Sequence, residues 1–554
     1  MDNSVKSLVK NAIKNVVESI WKKDLHHLPQ FVVDRPKKKE WGDLSTNLPF
    51  LLSTCSGEHP ESIGEIISSG LSREKIFSRV EFAPPGFINL SLSDSFLKDT
   101  LKKVVREREN FTVFSLGEGR PVQVEFVSAN PTGPLHVGHG RAAALGDAIA
   151  NNLGKLGYKV YREYYVNDIG GQIKRLARSL WIRMRQIEGE KVEVPEDGYR
   201  GEYLVDIAKV AGEKLNIKEE LSDEKVIPLL SRFVVDEILK DIRDDLDRFG
   251  VRYDRWFFES ELYKNDDLSR TLSLLEQKGL IYEKDGALWF KTSSVINGEQ
   301  DRVLRRKNGE YTYFASDIAY HQDKLKRGFY RVVDIWGADH IGYVPRIKAV
   351  AKVLGYPEDA LKIIIYQLVT LKRGGRRVSA STRAGEFISL KELLDEVGRD
   401  VARFFFLSRS SDSHLDFDLE LAKKQTPENP VFYVQYAHAR ICSILRKAEK
   451  EGIFTPDPEK INLDLLTTPE ERDLMLSITL LPDQVKEAGE NLEPHHLTGY
   501  LQEIASLFHY FYTRHRVITN NRELSHARLF LIQAVKIVIA DLLRILGISA
   551  PERM

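Results

Sequence analysis

The sequence predicts an α/β protein with a parallel-sheet domain between an N-terminal α+β domain and a C-terminal all-helical domain. Three observations predict this order. Residues 1–112 mix helical periodicity with short alternating strands, residues 113–388 repeat a strand–turn–helix pattern, and residues 389–554 carry almost only helical periodicity. A chain of 554 residues is long enough for several domains, each with its own core.

The N-terminal domain is predicted to begin with an amphipathic helix and to contain a small sheet. Apolar residues at positions 5, 8, 9, 13, 16, 17 and 20 fall on one helical face. In "VEFAPPGFINLSLS", alternating apolar residues flank a Pro-Pro-Gly turn, which predicts two paired strands. The first 23 residues contain no arginine and no continuous apolar run, so we expect neither a secretory nor a transit peptide.

The central domain is predicted from strands that alternate with helices. "PVQVEFVSA" and "GYKVYREYYVND" are predicted strands, and the alanine-rich segment between them is a predicted helix. "YRVVDIWGADH" and "LKIIIYQLVTLKRGG" are nearly continuous apolar runs, as expected of parallel strands covered on both faces. A charged, helix-rich insertion is expected at about residues 175–250.

The C-terminal domain is predicted to be a helical bundle. Its most apolar segment is interrupted by Gln533, Lys536, Asp541 and Arg544, which indicates a core helix with one wet face and not a membrane span. Lys+Arg and Asp+Glu balance at 81 each, so an anionic partner must be bound by local basic patches. The two cysteines are too few for a disulfide framework and favour a cytoplasmic protein.

Three polar clusters follow predicted strands, at residues 128–139, 337–340 and 372–383. Parallel sheets bind ligands beyond the carboxyl ends of their strands, where the strand order reverses. If all three strands are central, the clusters meet in one cleft.

The first cluster places His136 and His139 at a predicted helix N-terminus, with Gly138 between them. Free backbone N–H groups and imidazoles at that position suit a polyphosphate. A surface pair or a metal-binding pair of histidines remains an alternative. The third cluster carries five cations without an acid in a Gly- and Ser-rich stretch, which favours a mobile loop, although a solvated charge run is an alternative. Together the two clusters indicate nucleotidyl transfer.

Residues 136–139 resemble the His-Ile-Gly-His motif of class I aminoacyl-tRNA synthetases, and "SASTR" (379–383) stands where that class has its mobile Lys-Met-Ser-Lys-Ser loop. "EFVSANPTGPLHVGHGR" resembles the arginyl-tRNA synthetase family within that class. The similarity extends through "NDIGGQI", "YRGEY", "YFASDIAYH", "WGADH", "QYAHAR" and "LLRILGISAPERM", and the N-terminal "WGDLSTN" and "APPGFINLSL" resemble the family's extra domain. The resemblance implies a Rossmann-type catalytic domain at 113–388, a tRNA-contacting domain at 1–112 and an anticodon-binding domain at 389–554.

The resemblance implies ligation of L-arginine to tRNA(Arg) through an adenylate, with release of pyrophosphate and AMP. It places arginine-binding groups at Glu125, Ser128, Asn130, Tyr313 and Asp317. Asp317 is the predicted partner of the guanidinium, and Glu259 is a second candidate for that role. Without the resemblance, Asp317 is interpreted as a helix N-cap.

The resemblance also implies that ATP lies over His136, Gly138 and His139, with Gly337, Asp339 and His340 near the adenosine. Catalytic roles fall on His136, His139, Ser381 and Arg383. Mg²⁺ is expected to bridge the phosphates, with no metal site in the protein. The loop departs from the family pattern, because Ser379 replaces the first lysine and Ala380 the methionine; Arg376, Arg377 or Lys372 could supply the missing charge.

For the tRNA, the resemblance singles out Tyr436, Arg440 and the terminal Met554 near the anticodon. "FHYFYTRHRVITNNR" adds Arg514 and neighbouring aromatics that could stack on unpaired bases, although a core aromatic stripe is an alternative. "RPKKKEWGD" is a possible phosphate contact. The expected partners are arginine, ATP and tRNA(Arg), with no membrane, and the expected state is a monomer.

Three other interpretations stay open from sequence. They are a different class I synthetase, such as one for cysteine, a small-molecule nucleotidyltransferase and a non-catalytic tRNA-binding paralogue. The absence of a cysteine set for a zinc-held thiolate disfavours the first, and the two additional domains disfavour the second.

Overall fold

The computed structural model describes residues 3–21, 28–215, 223–357, 359–378, 388–453 and 457–554. The N-terminal part is an antiparallel four-stranded sheet with the strand order β1-β2-β4-β3, packed against helices. Its elements are α1 (Val5–Trp21), β1 (Val33–Asp34), β2 (Leu44–Thr46), α2 (Leu48–Ser56), α3 (Pro60–Leu71), β3 (Phe77–Ala83), β4 (Phe87–Leu92) and α4 (Asp94–Glu107). The predicted helix and the strands on either side of the Pro-Pro-Gly turn are confirmed.

The central part is built on a five-stranded parallel sheet with helices around it. Its elements are β5 (Pro121–Glu125), α5 (Val137–Lys155), β6 (Lys159–Val166), α6 (Gly171–Ile187), α7 (Tyr203–Lys214), α8 (Asp223–Arg248), β7 (Arg255–Phe258), α9 (Glu259–Lys264), α10 (Asp267–Gln277), β8 (Ile281–Lys284), β9 (Ala287–Phe290), β10 (Arg302–Arg305), α11 (Tyr313–Lys326), β11 (Arg331–Gly337), α12 (Val344–Leu354) and β12 (Leu361–Tyr366). Helices α6, α7 and α8 form the predicted insertion, and β8, β9 and β10 form a separate antiparallel sheet.

The parallel sheet has the order β12-β11-β5-β6-β7. Along the sheet, β6 and β7 therefore follow β5 on one side, and β11 and β12 lie on its other side. The order reverses between β5 and β11, which is where doubly wound sheets bind their ligands. Helix α5 packs closely on this point, because a Cβ at Gly146 would lie 2.1 Å from the ring of Phe126.

The segment predicted as buried central strands divides into two different sheets. Strand β12 is an edge strand of the parallel sheet and most of its residues are only half-buried, whereas the next strands form a small separate sheet of order β14-β13-β15. The elements of this region are β13 (Val369–Arg373), β14 (Arg376–Arg377), α13 (Leu390–Val397), α14 (Arg399–Leu407), β15 (Leu415–Asp418) and α15 (Leu419–Lys423). The strand before residues 372–383 is therefore not central in the parallel sheet, so the condition under which all three clusters meet in one cleft is not met. Strand β15 lies in a stretch predicted to be helical.

The C-terminal part is a bundle of four long helices, α16 (Pro430–Lys450), α17 (Pro469–Glu490), α18 (His495–Arg514) and α19 (Arg522–Ile545). The predicted wet face of α19 is wrong at Asp541, which is buried and accepts hydrogen bonds from Thr112 Oγ1 at 2.5 Å and Lys155 Nζ at 2.7 Å. Arg544, by contrast, is 60% exposed, as the prediction requires. Within the described ranges, no helix is both long and apolar enough to cross a membrane.

Candidate active site

His136 and His139 form a stacked pair at the start of α5, beside the point where the strand order reverses. His136 is the N-cap residue, and its Nδ1 accepts hydrogen bonds from the backbone N–H groups of Gly138 at 3.1 Å and His139 at 3.4 Å. In return, the backbone N–H of His136 donates to Nδ1 of His139 at 3.3 Å. The ring centroids lie 3.6 Å apart with an interplanar angle of 17°. The predicted position of both histidines at a helix N-terminus is confirmed.

Burial sets the charge of both rings, and the hydrogen bonds to Nδ1 set their tautomer. Burial lowers the pKa of His136, and burial followed by the proximity of His136 lowers the pKa of His139 well below its usual value. Both imidazoles are thus neutral at pH 7. Because each Nδ1 accepts a hydrogen bond, each Nε2 carries the proton. The pair can donate two hydrogen bonds to an anionic oxygen.

Glycines keep the backbone close to this edge of the sheet. A Cβ at Gly138 would lie 2.9 Å from Cε1 of His136, and a Cβ at Gly337 would lie 2.5 Å from Oδ1 of Asp339. Gly337 ends β11, and Asp339 and His340 follow in an exposed 3-10 turn with 3.3 Å between Oδ2 and Nε2. The first and second polar clusters of the sequence therefore flank the switch point together.

The chain is strained where β5 ends. Val127 and Ser128 have φ angles of +69° and +40°, which non-glycine residues rarely adopt, and the Ser128 N–H donates to the carbonyl of Phe126 at 3.0 Å. This turn directs the Ser128 hydroxyl back to donate to Glu125 Oε1 at 2.9 Å. Backbone strain of this kind is often found at functional sites.

The carboxylate of Glu125 is bound on both oxygens. Oε1 accepts a hydrogen bond from the Ser128 hydroxyl, and Oε2 accepts one from the buried ammonium of Lys324 at 2.5 Å. Burial outweighs this attraction and raises the pKa of Glu125. Asn130, the third residue expected near this end of the substrate, is exposed and donates through Nδ2 to Gln172 Oε1 at 3.0 Å.

Asp317 and Glu259 form a second, acidic part of the site. Helix α11 begins at Tyr313 with Thr312 as its N-cap residue, so the N-cap interpretation of Asp317 is wrong. Asp317 lies in the second turn, where its Oδ2 accepts a hydrogen bond from the Tyr343 hydroxyl at 2.6 Å. Burial raises the pKa of Asp317. Tyr313 is 52% exposed at the start of the helix.

Glu259 is 4% exposed at the carboxyl end of β7. Burial is the main cause that raises its pKa to about 7, and the negative charge of Asp317 adds to the effect. The side-chain amide of Asn167, in the orientation that satisfies both groups, donates to Glu259 Oε2 at 3.0 Å. Two buried carboxylates, one of which hinders the ionisation of the other, suit a cationic ligand.

Sequence reasoning missed several groups at this site, among them Lys324, His321, Tyr343 and Asn167. Asn167 opens the "NDIGGQI" segment at the carboxyl end of β6, so its position after a strand was a usable signal. His321 and Lys324 of α11 lie on the same helical face as Asp317. Nothing in the local pattern separates them from a solvated helix surface.

Of the third cluster, the structure describes the residues up to Val378, and Ser379, Ala380, Ser381 and Arg383 lie outside the described residues. Lys372 Nζ lies 2.7 Å from Asp416 Oδ2, and Arg373 is paired with Glu396 at 2.7 Å. Arg376 and Arg377 are exposed on β14, and among the described residues their side chains have no ionic or hydrogen-bonding partner.

The residues predicted to contact tRNA lie on the C-terminal helices. The Arg440 guanidinium lies 5.0 Å from the ring centroid of Tyr436 and 5.5 Å from that of Tyr512, and it donates to the Tyr436 hydroxyl. Arg514 lies 4.3 Å over the ring of Tyr510, and Met554 is 56% exposed. In the same aromatic run, Phe508 and Phe511 are fully buried, so the core interpretation holds for them.

Two other sequence expectations concern charged groups. In "RPKKKEWGD", Lys38 lies 5.1 Å over the Trp41 ring and Lys39 is 2.5 Å from Asp473 of α17. Among the described residues, no group of three or more His, Cys, Asp or Glu side chains is placed to hold a metal ion.

Comparisons with known proteins agree with this architecture. Three family models match: Arginyl tRNA synthetase N terminal domain over residues 3–92, tRNA synthetases class I (R), catalytic domain over residues 100–411, and DALR anticodon binding domain over residues 434–554. An arginine–tRNA ligase of Syntrophotalea carbinolica is 48% identical over 95% of each chain, and one of Thermotoga maritima is 44% identical over 98% of this chain and 100% of the relative. The crystal structure of Thermus thermophilus arginyl-tRNA synthetase superimposes with a TM-score of 0.78 at 25% identity, covering 99% of this chain and 100% of that one.

The parallel sheet and the histidine pair at its switch point, together with the catalytic-domain match, define a class I aminoacyl-tRNA synthetase. The flanking domains match as well. The chain belongs to the arginyl-tRNA synthetase family.

Proposed function

We propose that this chain attaches L-arginine to the 3′ end of tRNA(Arg) through an arginyl-adenylate, releasing pyrophosphate and then AMP. The observation that carries the proposal is the pairing of two buried carboxylates, Asp317 and Glu259, with a stacked histidine pair at the same edge of the sheet. Carboxylates match the planar donors of a guanidinium, and neutral imidazole N–H groups match phosphate oxygens. Membership of the family supports the same reaction.

In the first step, the arginine carboxylate attacks the α-phosphate of ATP and pyrophosphate leaves. His136 and His139 donate through Nε2 to the phosphates, Gly138 leaves room for their approach, and Gly337, Asp339 and His340 hold the adenosine. Mg²⁺ enters with ATP as part of the substrate, bound by its phosphates. In the second step, a ribose hydroxyl of the tRNA terminus attacks the adenylate. Catalysis is by positioning and electrostatic stabilisation, without a protein nucleophile.

Arginine lies between two groups of residues. Asp317 and Glu259 bind its guanidinium, with Tyr313 at the mouth of the pocket. Glu125, Ser128 and Asn130 hold its α-amino and carboxylate end. The raised pKa of both guanidinium-binding acids supports this assignment, because binding a fixed cation is the interaction that would restore their charge.

Ser381 and Arg383 of the third cluster contribute to catalysis. Arg376 and Arg377 take the place of the lysine that this cluster lacks. This choice is supported by the pairing of the other nearby cations, since Lys372 and Arg373 are already held by Asp416 and Glu396.

The tRNA contacts the outer domains. Tyr436, Arg440, Arg514 and Met554 bind the anticodon region, where partly exposed aromatic rings next to guanidinium groups suit unpaired bases and their phosphates. Residues 1–112 contact the tRNA elbow, 113–388 carry the chemistry and 389–554 read the anticodon. The enzyme works as a monomer, since one chain supplies both ends of the arginine site. It works in the cytoplasm.

Charging of tRNA(Arg) with labelled arginine tests the proposal. The wild-type protein should form arginyl-tRNA, and Asp317→Asn should raise the arginine KM at least about tenfold, because an amide cannot neutralise the guanidinium. An unchanged arginine KM in Asp317→Asn would contradict the assignment of Asp317 to the guanidinium.

A further inference from the structure

A buried layer of charges lies beneath the pocket, between the parallel sheet and α11. Acidic residues occupy matching positions on three neighbouring strands: Asp334 of β11 pairs in register with Glu125 of β5, and Glu125 pairs with Glu163 of β6. Residues paired in register point to the same face of a sheet. Three carboxylates therefore face α11 from the sheet, where unpaired charges would be costly.

Two residues of α11 bind the two carboxylates nearest the switch point, Glu125 and Asp334. The fully buried Lys324 ammonium donates to Glu125 Oε2 at 2.5 Å and to Asp334 Oδ1 at 2.7 Å. The His321 ring lies 3.1 Å from Asp334 Oδ2 through Nε2 and 2.8 Å from the carbonyl of Asp317 through Nδ1. The two ring nitrogens thus link the Asp317 backbone to the Asp334 carboxylate. Although burial acts to raise it, Lys324 and His321 lower the pKa of Asp334 to about 2.

The same helical face carries the substrate-binding groups. Residues at spacings of three and four lie one above another along a helix, and this face presents Tyr313, Asp317, His321 and Lys324. Lys324 thus contacts one oxygen of Glu125 while the other oxygen takes the Ser128 hydroxyl. The depth and rotation of α11 are tied to the strand end that holds the other half of the pocket.

We propose that Lys324 and His321 are positioning residues of the arginine site, which fix α11 against β5 and β11 and so set the spacing between the groups that bind the two ends of the substrate. This inference rests on the proposed function of Asp317 and Glu125. It predicts that the spacing, and with it the affinity for a substrate of the length of arginine, depends on a buried lysine and a buried histidine that do not contact the substrate.

The test is Lys324→Met, measured by arginine-dependent ATP–pyrophosphate exchange with tRNA present. The arginine KM should rise about tenfold or more and the ATP KM should change less than about twofold, because the histidine pair lies outside the charge layer. Arg327→Met is the matched control. Arg327, in the turn after α11, donates to Glu163 at 2.5 and 2.8 Å, and Glu163 has no role in either half of the pocket. Arg327→Met should lower thermal stability and leave the arginine KM unchanged.

Three results would overturn the positioning role. Lys324→Met could lose thermal stability with no change in the arginine KM, it could shift the arginine and ATP KM equally, or Lys324→Met and Arg327→Met could shift the arginine KM equally. If Lys324→Met does not fold, Lys324→Met with Asp334→Asn removes one charge of each sign, and the same selective rise in arginine KM is expected. Wild-type exchange with an amino acid other than arginine would instead overturn the proposed function.

Discussion

The stacked histidines depend on a residue that has no side chain. A Cβ at Gly138 would lie 2.9 Å from Cε1 and 3.1 Å from Nδ1 of His136. With a side chain at position 138, the ring must move away from the two backbone N–H groups that donate hydrogen bonds to its Nδ1. The imidazole would then lose the orientation that directs its Nε2–H outward. Small displacements of groups that stabilise a transition state are costly in rate.

Gly138→Ala should therefore reduce the rate of adenylate formation about 10- to 100-fold while the protein remains folded. Gly154→Ala is the control on the same helix. A Cβ added at position 154 would have no heavy atom within 4 Å, so this substitution should add about 0.5–1 kcal/mol to the free energy of unfolding and leave the rate unchanged. Exchange kinetics and thermal unfolding measure both effects. Equal rates for the two variants would contradict the account.

Glu259 predicts a pH dependence of arginine binding. Its pKa is about 7 in the ligand-free protein, above the ordinary 4.5, so ionising Glu259 costs stability as pH rises from about 4.5 to about 7. Bound guanidinium favours the carboxylate. The arginine KM should rise as pH falls from about 8 to about 6, approaching tenfold per pH unit below the pKa.

Glu259→Gln should weaken arginine binding at pH 8 and flatten this dependence, whereas the ATP KM should follow the same profile in both proteins. Steady-state exchange at several pH values provides the measurement. An unchanged slope in Glu259→Gln would assign the titration to another group.

At the scale of secondary-structure elements, α1 is held by a carboxylate from the opposite end of the chain. Asp483 of α17 is 2% exposed and accepts hydrogen bonds from Ser4 Oγ at 2.5 Å and from the backbone N–H groups of Val5 and Lys6, each at 3.1 Å. It supplies the acceptors that the first turn of a helix lacks. The N-terminal domain is thereby docked on the C-terminal bundle.

Asp483→Ala should cost about 2 kcal/mol of unfolding free energy, because buried N–H donors lose their acceptor. The N-terminal domain should also become easier to cleave from the rest by limited proteolysis. Asp473→Ala, on the same helix, removes the Lys39–Asp473 pair, in which the lysine is 72% exposed, and should cost less than about 0.5 kcal/mol. Similar losses in both variants would show that the docking does not depend on Asp483.

The helices and strands were mostly predictable, because apolar periodicity is a local property. The helix start at His136 and the Pro-Pro-Gly hairpin follow from neighbouring residues alone. The sheet that contains β13 could not be predicted in this way, since an apolar run does not specify which strands it pairs with. Its partner β15 comes after two intervening helices, in a stretch that looked helical.

At the scale of the whole molecule, long-range pairs of charges join the domains and complete the site. Lys324 and Glu125 are 199 residues apart, and Ser4 and Asp483 are 479 apart. A charged residue in a helical pattern is expected in water, so its burial is visible only when the partner is known. The substrate-binding acids were found through resemblance to a family, and the lysine and histidine that bind the carboxylates beneath them were found through the fold.

The central claim is that the buried carboxylates and the paired histidines activate arginine. It is tested most directly by ATP–pyrophosphate exchange with each amino acid in turn, with and without tRNA. We predict exchange with arginine and with no other amino acid, at a rate that appears or rises when tRNA(Arg) is added. Exchange with a different amino acid, or none under either condition, would contradict it.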